Sequence, residues 1–249
     1  DGVSVITING GVLTCNAGGG QEGDGIDSNG WIVINDGFIV SAASATSQDS
    51  GVDSDNGIYI NGGTVLASGN MYDEVSEDSE QAFVALNFAS SVEAGQMFAL
   101  KNADGEIVTA FSAANDFKTL VYSSSELTDG DYTLYEISSA DGVAVSGLYT
   151  EVTSVSDEVQ LQGSKGAGGF GGMGGGMGKP NGERPEMPEG EAPDGQNGPD
   201  GQKGERPDMP EDSSEQASSV FTISGISNAF SRISELTIES SEEESSTNV

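Results

Sequence analysis

The chain has no histidine, one cysteine, and eight basic residues against 41 acidic ones, for a formal net charge of −33. Without histidine, the side chain most used for proton transfer near neutral pH, and the commonest metal-ligating imidazole, is missing. With Cys15 alone, no intramolecular disulfide can form. The shortage of Lys and Arg argues against nucleic acid and anionic membranes as direct partners, because the protein's own field repels polyanions. A polyanion could bind only through bridging cations, and hard divalent cations prefer carboxylate oxygens. No apolar run reaches about 18 residues, so neither a transmembrane helix nor membrane insertion is expected. The start lacks the basic-plus-apolar pattern of a signal peptide.

What is present is a repeat. Ile6-Thr7-Ile8-Asn9-Gly10-Gly11-Val12-Leu13 aligns without gaps on Ile32-Val33-Ile34-Asn35-Asp36-Gly37-Phe38-Ile39, and both align on Ile58-Tyr59-Ile60-Asn61-Gly62-Gly63-Thr64-Val65, at a spacing of 26 residues. Gly25-Ile26-Asp27-Ser28 falls on Gly51-Val52-Asp53-Ser54 at the same offset, and Asp1 falls where Asp27 and Asp53 fall. A fixed period of this length marks a solenoid or similar array. Apolar residues alternate with the strand period of two, and the Asn-Gly-Gly step is turn chemistry. The fold class expected is all-β: a right-handed parallel β-helix of 26-residue coils over residues 1–72. Asp1 stands in mid-unit, so further coils are expected upstream.

Stacked coils place equivalent residues about 4.8 Å apart. The Ile6/Ile32/Ile58, Ile8/Ile34/Ile60 and Leu13/Ile39/Val65 rows then fill the interior. Cys15, in a row with Ser41 and Ala67, reads as a small buried filler. Asn9, Asn35 and Asn61 read as an amide ladder.

Inward Ile26 and Val52 imply outward Asp27 and Asp53, one above the other. At about 4.8 Å their repulsion is roughly 1 kcal/mol in water and severalfold more near a protein surface. Residues 1–70 contain no Lys or Arg to relieve it. A Ca²⁺ held by Asp24, Asp27, Asp49, Asp53 and loop carbonyls would turn repulsion into cohesion. The alternative is a solvated acidic row that serves solubility. Trp31 and Tyr59 lie on the outward parity of adjacent coils, where their faces could form a sugar-binding patch or pack beneath other chain.

After Asn70 the period is expected to stop. Residues 80–160 show short alternating segments separated by turns such as Asn102-Ala103-Asp104-Gly105, which predicts a small antiparallel sandwich or cap. Residues 163–217, rich in Gly, Met, Pro and acids, predict a disordered linker. Residues 218–240 predict returning strands, and 241–249 an acidic tail.

The Asn-Gly-Gly coils, the Gly-Asp-Gly-Ile-Asp step, the Leu86-Asn87-Phe88-Ala89-Ser90 opening of the second unit and the Gly/Met-rich linker occur in one order. Together they resemble the clostridial cell-surface carbohydrate-binding β-helix family, which is similar in fold to pectate lyases. The resemblance implies a secreted or surface-displayed protein that binds calcium between coils and binds acidic polysaccharide such as polygalacturonate. Its calcium pattern maps onto Asp24, Asp27 and Asp53, with Asp49 and Asp55 beside them. Where family coils often carry His after Gly-Ile, Asp27 and Ser28 stand here.

The function expected is therefore calcium-dependent, extracellular, non-catalytic binding of acidic polysaccharide. A lyase would need a base, typically Arg or Lys beside calcium, and the coils contain no Lys, Arg or His. A structural, fibre-forming solenoid joined end to end through calcium and open helix ends is the alternative.

Overall fold

In the computed structural model the described residues are 4–20 and 22–161, with the backbone of 164–165, 220–223 and 229–233. The fold is all-β, with no helix among the described residues, and none of them forms a helix long and apolar enough to cross a membrane. The linker expected over 163–217 lies outside the described residues apart from Ser164–Lys165, as does the acidic tail over 241–249.

The repeat sets the first part of the chain. β1 (Val5–Asn16), β3 (Trp31–Ala42), β5 (Gly57–Ile60) and β6 (Thr64–Gly69) pair in parallel. Ile6 lies beside Ile32 and Ile32 beside Ile58, then Leu13 beside Ile39 and Ile39 beside Val65. The short strands β2 (Ile26–Ser28) and β4 (Val52–Ser54) form a second parallel pair with Asp27 beside Asp53. Between the two sheets the expected rows form one apolar cluster, with Ile32, Ile34 and Ile39 fully buried. Cys15 packs against that cluster in its Ser41/Ala67 row but is only half-buried.

Backbone geometry explains the turn. Gly11, Gly37 and Gly63 occupy one row with φ of +90°, +121° and +85°, a region that residues with a β-carbon rarely adopt. Beside them the amide ladder forms: Asn61 Nδ2 donates to Asn35 Oδ1 and Asn35 Nδ2 to Asn9 Oδ1, each at 2.8 Å. The Glu80 N–H donates to Asn61 Oδ1 at 3.3 Å and ends the row.

The 26-residue period ends at Asn70, and pairing continues at a shorter offset. The Asn70 and Met71 N–H groups donate to Asp49 O, Val75 bridges Ile58 in parallel, and the Gln81 N–H donates to Ile60 O. Val75 meets Ile58 at an offset of 17 residues, and Asp73 meets Ser54 and Ser79 meets Ile60 at 19, instead of 26. This stretch has little alternation and several acids, so its sequence gives no sign of the partners that backbone pairing supplies.

The following strands divide between two sheets. β7 (Phe83–Val92) and β10 (Phe117–Ser123) pair antiparallel with each other, and β10 pairs antiparallel with β6. β8 (Met97–Asn102), β9 (Ile107–Phe111), β11 (Gly130–Ile137), β12 (Ser139–Val145), β13 (Leu148–Ser156) and β14 (Val159–Gln160) form the other sheet, in the order β12-β13-β9-β8-β11-β14. By backbone, β15 (Ser164–Lys165) pairs with β17 (Ala229–Ile233), β17 with β7, and β16 (Val220–Ile223) with β11.

The first sheet therefore has a core on each side. Ile39 and Val65 face the coil interior, whereas neighbouring Val40 and Leu66 join Phe88, Phe98, Phe111, Phe117 and Tyr122 beneath the other sheet. Asn115 ties the two parts together, donating through Nδ2 to Ala43 O at 2.7 Å and to Asn16 Oδ1 at 2.8 Å.

Gly37→Ala tests the turn row. A β-carbon there would lie 3.1 Å from Gly11 O on a backbone with φ +121°. The expected loss is about 1–3 kcal/mol of stability, read as a lowered urea midpoint with the slope unchanged.

Candidate metal centre

The site grows from the β2–β4 pair. Ile26 and Ser28 are buried with Asp27 exposed between them; Val52 and Ser54 are buried with Asp53 half-buried between them. The strand alternation thus turns the stacked Asp27 and Asp53 carboxylates outward. Asp24, in the loop before β2, brings a third: one carboxylate oxygen from each of Asp24, Asp27 and Asp53 lies within 4.8 Å of the others.

Hydrogen bonds between coils position the loop acids. Asp24 Oδ1 accepts from the Ser50 N–H at 3.0 Å, which leaves its second oxygen for the cluster. Asp49 Oδ2 accepts from the Gly23 N–H. Each loop thus presents a carboxylate to the backbone of the coil above or below it. Asp55 is exposed, and its N–H donates to Ser28 O at 3.1 Å; its side chain is not part of the group of three.

The sequence reading missed Asp73. Its Oδ2 accepts from the Ser54 N–H at 2.8 Å and its Oδ1 from the Glu74 N–H at 2.9 Å. The shortened offset brings it against Ser54, next to Asp53. No spacing signal could have found it, because it breaks the 26-residue register.

Burial and like charge raise the proton affinity of Asp53, Asp73 and Asp24. Desolvation is the largest cause for Asp53, followed by the charges of Asp73, Asp24, Asp27 and Asp49, and together they push its carboxyl up to about 7. Asp73 rises to about 6, mainly by desolvation, against the pull of its two backbone donors. Asp24 is also raised, by desolvation first, with Asp49 and Asp27 adding to it. The ion pair recorded among the described residues, Lys101 with Glu158, bridges β8 and the segment before β14, away from this row.

The donor set suits a hard cation. Two oxygens on opposite sides of a Ca²⁺ ion, each at about 2.4 Å, are about 4.8 Å apart, so the cluster has the spacing at which a pair of its carboxylates spans one ion, and the third closes on it with a small movement. Further oxygens would have to come from loop carbonyls, Asp49 or water.

The aromatic pair differs from expectation. Trp31 and Tyr59 do meet, with ring centroids 5.8 Å apart and planes 40° apart. But Tyr59 is only 1% exposed, and Trp31 is half-buried. Gly57 lies beside both rings, so that a β-carbon on it would sit 3.5 Å from Trp31 Cζ3 and 3.8 Å from Tyr59 Cε2. The pair is packed, which corrects the reading of two outward aromatic faces; only Trp31 keeps surface for a ligand.

A separate cavity of about 330 Å³ opens between the ends of β1 and β3 and the loops at Ser112–Ala114 and Ser146–Gly147. No charged side chain lines it.

Searches against family models, curated proteins and solved structures find no match to this chain.

The raised carboxyls set a pH dependence. A carboxyl with a higher pKa in the folded than in the unfolded state binds more protons when folded, so its stabilising effect is complete below the unfolded pKa and is lost as pH rises through the folded one. Without added metal, thermal stability is expected to fall from about pH 4 to about pH 7 and then level off, following Asp73 and Asp53. Asp53→Asn should flatten that decline in melting curves recorded in EDTA.

Proposed function

We propose that the chain is a calcium-dependent binding module for acidic polysaccharide, displayed outside the cell, with residues 4–81 forming coils of a right-handed parallel β-helix. The reading rests on the convergence of the Asp24, Asp27 and Asp53 carboxylates within 4.8 Å of one another. The charges that raise Asp53 are those of Asp73, Asp24, Asp27 and Asp49, so a divalent cation is the charge that would most relieve the row.

The polysaccharide follows from the charge of the whole. At −33, the protein repels a polyuronate unless cations lie between them. A calcium ion held by the exposed edge of the Asp27/Asp53 row would keep coordination positions open for a uronate carboxylate, because calcium takes six to eight oxygens. Trp31, half-buried, offers a ring edge for sugar contact. Parallel pairing of β1, β3, β5 and β6 at one offset supports the coil reading. The sequence resemblance to the clostridial surface β-helix family supports the same ligand class and location. In this reading the chain's own residues bind and orient; none transfers a proton.

Calorimetric titration of the EDTA-treated, dialysed protein with Ca²⁺ is expected to show binding that Asp27→Asn and Asp53→Asn each weaken at least tenfold, a change of about 1.4 kcal/mol. Asp53→Asn should then have opposite effects on melting: stabilising in EDTA, where it removes repulsion, and destabilising relative to the unmodified chain in excess Ca²⁺. Polygalacturonate beads should retain the protein in Ca²⁺ and release it in EDTA. Retention that EDTA leaves unchanged would refute calcium dependence, and no retention in Ca²⁺ would refute the ligand class.

A further inference from the structure

We propose that the outer face of the second sheet is a binding surface for an uncharged, extended polysaccharide, separate from the acidic row and independent of any cation. Alternation along the strands divides the side chains of this sheet. Phe98, Phe111 and Leu134 join the core shared with the first sheet. Ala99, Ala110 and Ile137 form a cluster of their own on the other side, with Met97, Tyr135 and Tyr149 packed against it. Among the described residues, every member of that cluster comes from β8, β9, β11, β12 or β13. Any further coil stacked on β1 would lengthen the first sheet, which lies on the opposite side.

The register draws a line across four strands. Tyr135 lies beside Ala99, Ala99 beside Ala110, and Ala110 beside Tyr149. At about 4.8 Å per strand the two tyrosines stand about 14 Å apart, with alanine between them. Both alanines are 0% exposed, yet the cluster around them is made only of the sheet's own side chains. Their cover is therefore the larger side chains beside them. The rings of Tyr135 and Tyr149 lie down over the alanines and are themselves half-buried. A ring that lies on a sheet turns its other face to solvent.

Charge selects the partner. The Lys101 ammonium stands 5.0 Å from the Tyr135 ring centroid and donates to both oxygens of Glu158, at 2.6 and 2.5 Å. Its charge is thus matched within the chain, and the Tyr-Ala-Ala-Tyr line itself carries none. A second copy would bring another −33 against the first, and a bare polyanion is repelled in the same way. A neutral polymer is the complement of a neutral surface on so acidic a chain. Sugar rings suit the chemistry of the line. The C–H groups of a pyranose face carry slight positive charge, which matches the negative face of an aromatic ring. Hydroxyls around the sugar's edge bond to the tyrosine hydroxyls. Two rings in one line suit a chain that runs across the strands. The choice of polysaccharide as the partner class rests on the function proposed above; the surface needs no calcium.

Affinity electrophoresis in EDTA tests this, with methyl-esterified polygalacturonate or xyloglucan in the gel as uncharged probes. The expected result is a band that at least one of the two slows. Tyr135→Leu with Tyr149→Leu keeps an apolar cover on the alanines while removing the rings. The pair should weaken retention at least tenfold with the circular dichroism spectrum unchanged, and each single substitution serves where the pair does not fold. Tyr135→Phe with Tyr149→Phe should keep most of the retention. A protein slowed by neither probe, or slowed equally after the leucine substitutions, overturns the proposal. So does a dimer in sedimentation velocity that the leucine substitutions dissociate, because a second copy would then be the occupant. Retention on unesterified polygalacturonate in Ca²⁺ reports separately on the acidic row, so failure at one site is distinguished from failure at the other.

Discussion

Parallel backbone pairing at a constant offset is the constraint on which the rest of the molecule depends. Once Ile6, Ile32 and Ile58 share a row, every other position must share one too. Isoleucine over isoleucine gives a dry interior, and asparagine over asparagine gives a hydrogen-bonded ladder. Aspartate over aspartate gives a repulsive row. The same geometry that makes the core favourable makes the acidic row unfavourable, and the acidic row cannot be relieved by sliding, because a slip of one residue would turn the apolar set outward. The cost remains in one place, and it appears as raised proton affinity at Asp53 and Asp24.

The sequence predicted this part well because it depends on identity at a fixed spacing. The interior rows, the Asn ladder and the outward direction of Asp27 and Asp53 all follow from a gap-free alignment and the strand period of two. Readings that needed knowledge of what lies beside a coil fared differently. Tyr59 has the parity of an outward residue, yet it is buried; parity gives a direction and says nothing of what covers the side chain. Asp73 and the short coil were invisible because their partners are backbone groups at an offset that no repetition announces. The sorting of β7 and β10 into the sheet of β6 was hidden likewise, since alternation marks a strand without naming its neighbour.

The two halves are joined by use of both faces of one sheet. Val40 and Leu66 point away from the coil interior and would be exposed in a free-standing stack, yet both are buried, at 7% and 1% exposure. The aromatic cluster of the second sheet covers them. Asn115 joins the two by donating at once to the last residue of β1 and to the residue after β3.

The offset falls from 26 residues to 17 at Val75 and 19 at Asp73 just after Asn70. The change brings Asp73, held by two backbone amides, against Ser54, the residue after Asp53. The charge that acts most on Asp53 thus comes from outside the repeat, so a change in the length of the chain between Asn70 and Asp73 would act on Asp53 without touching any residue of the repeat.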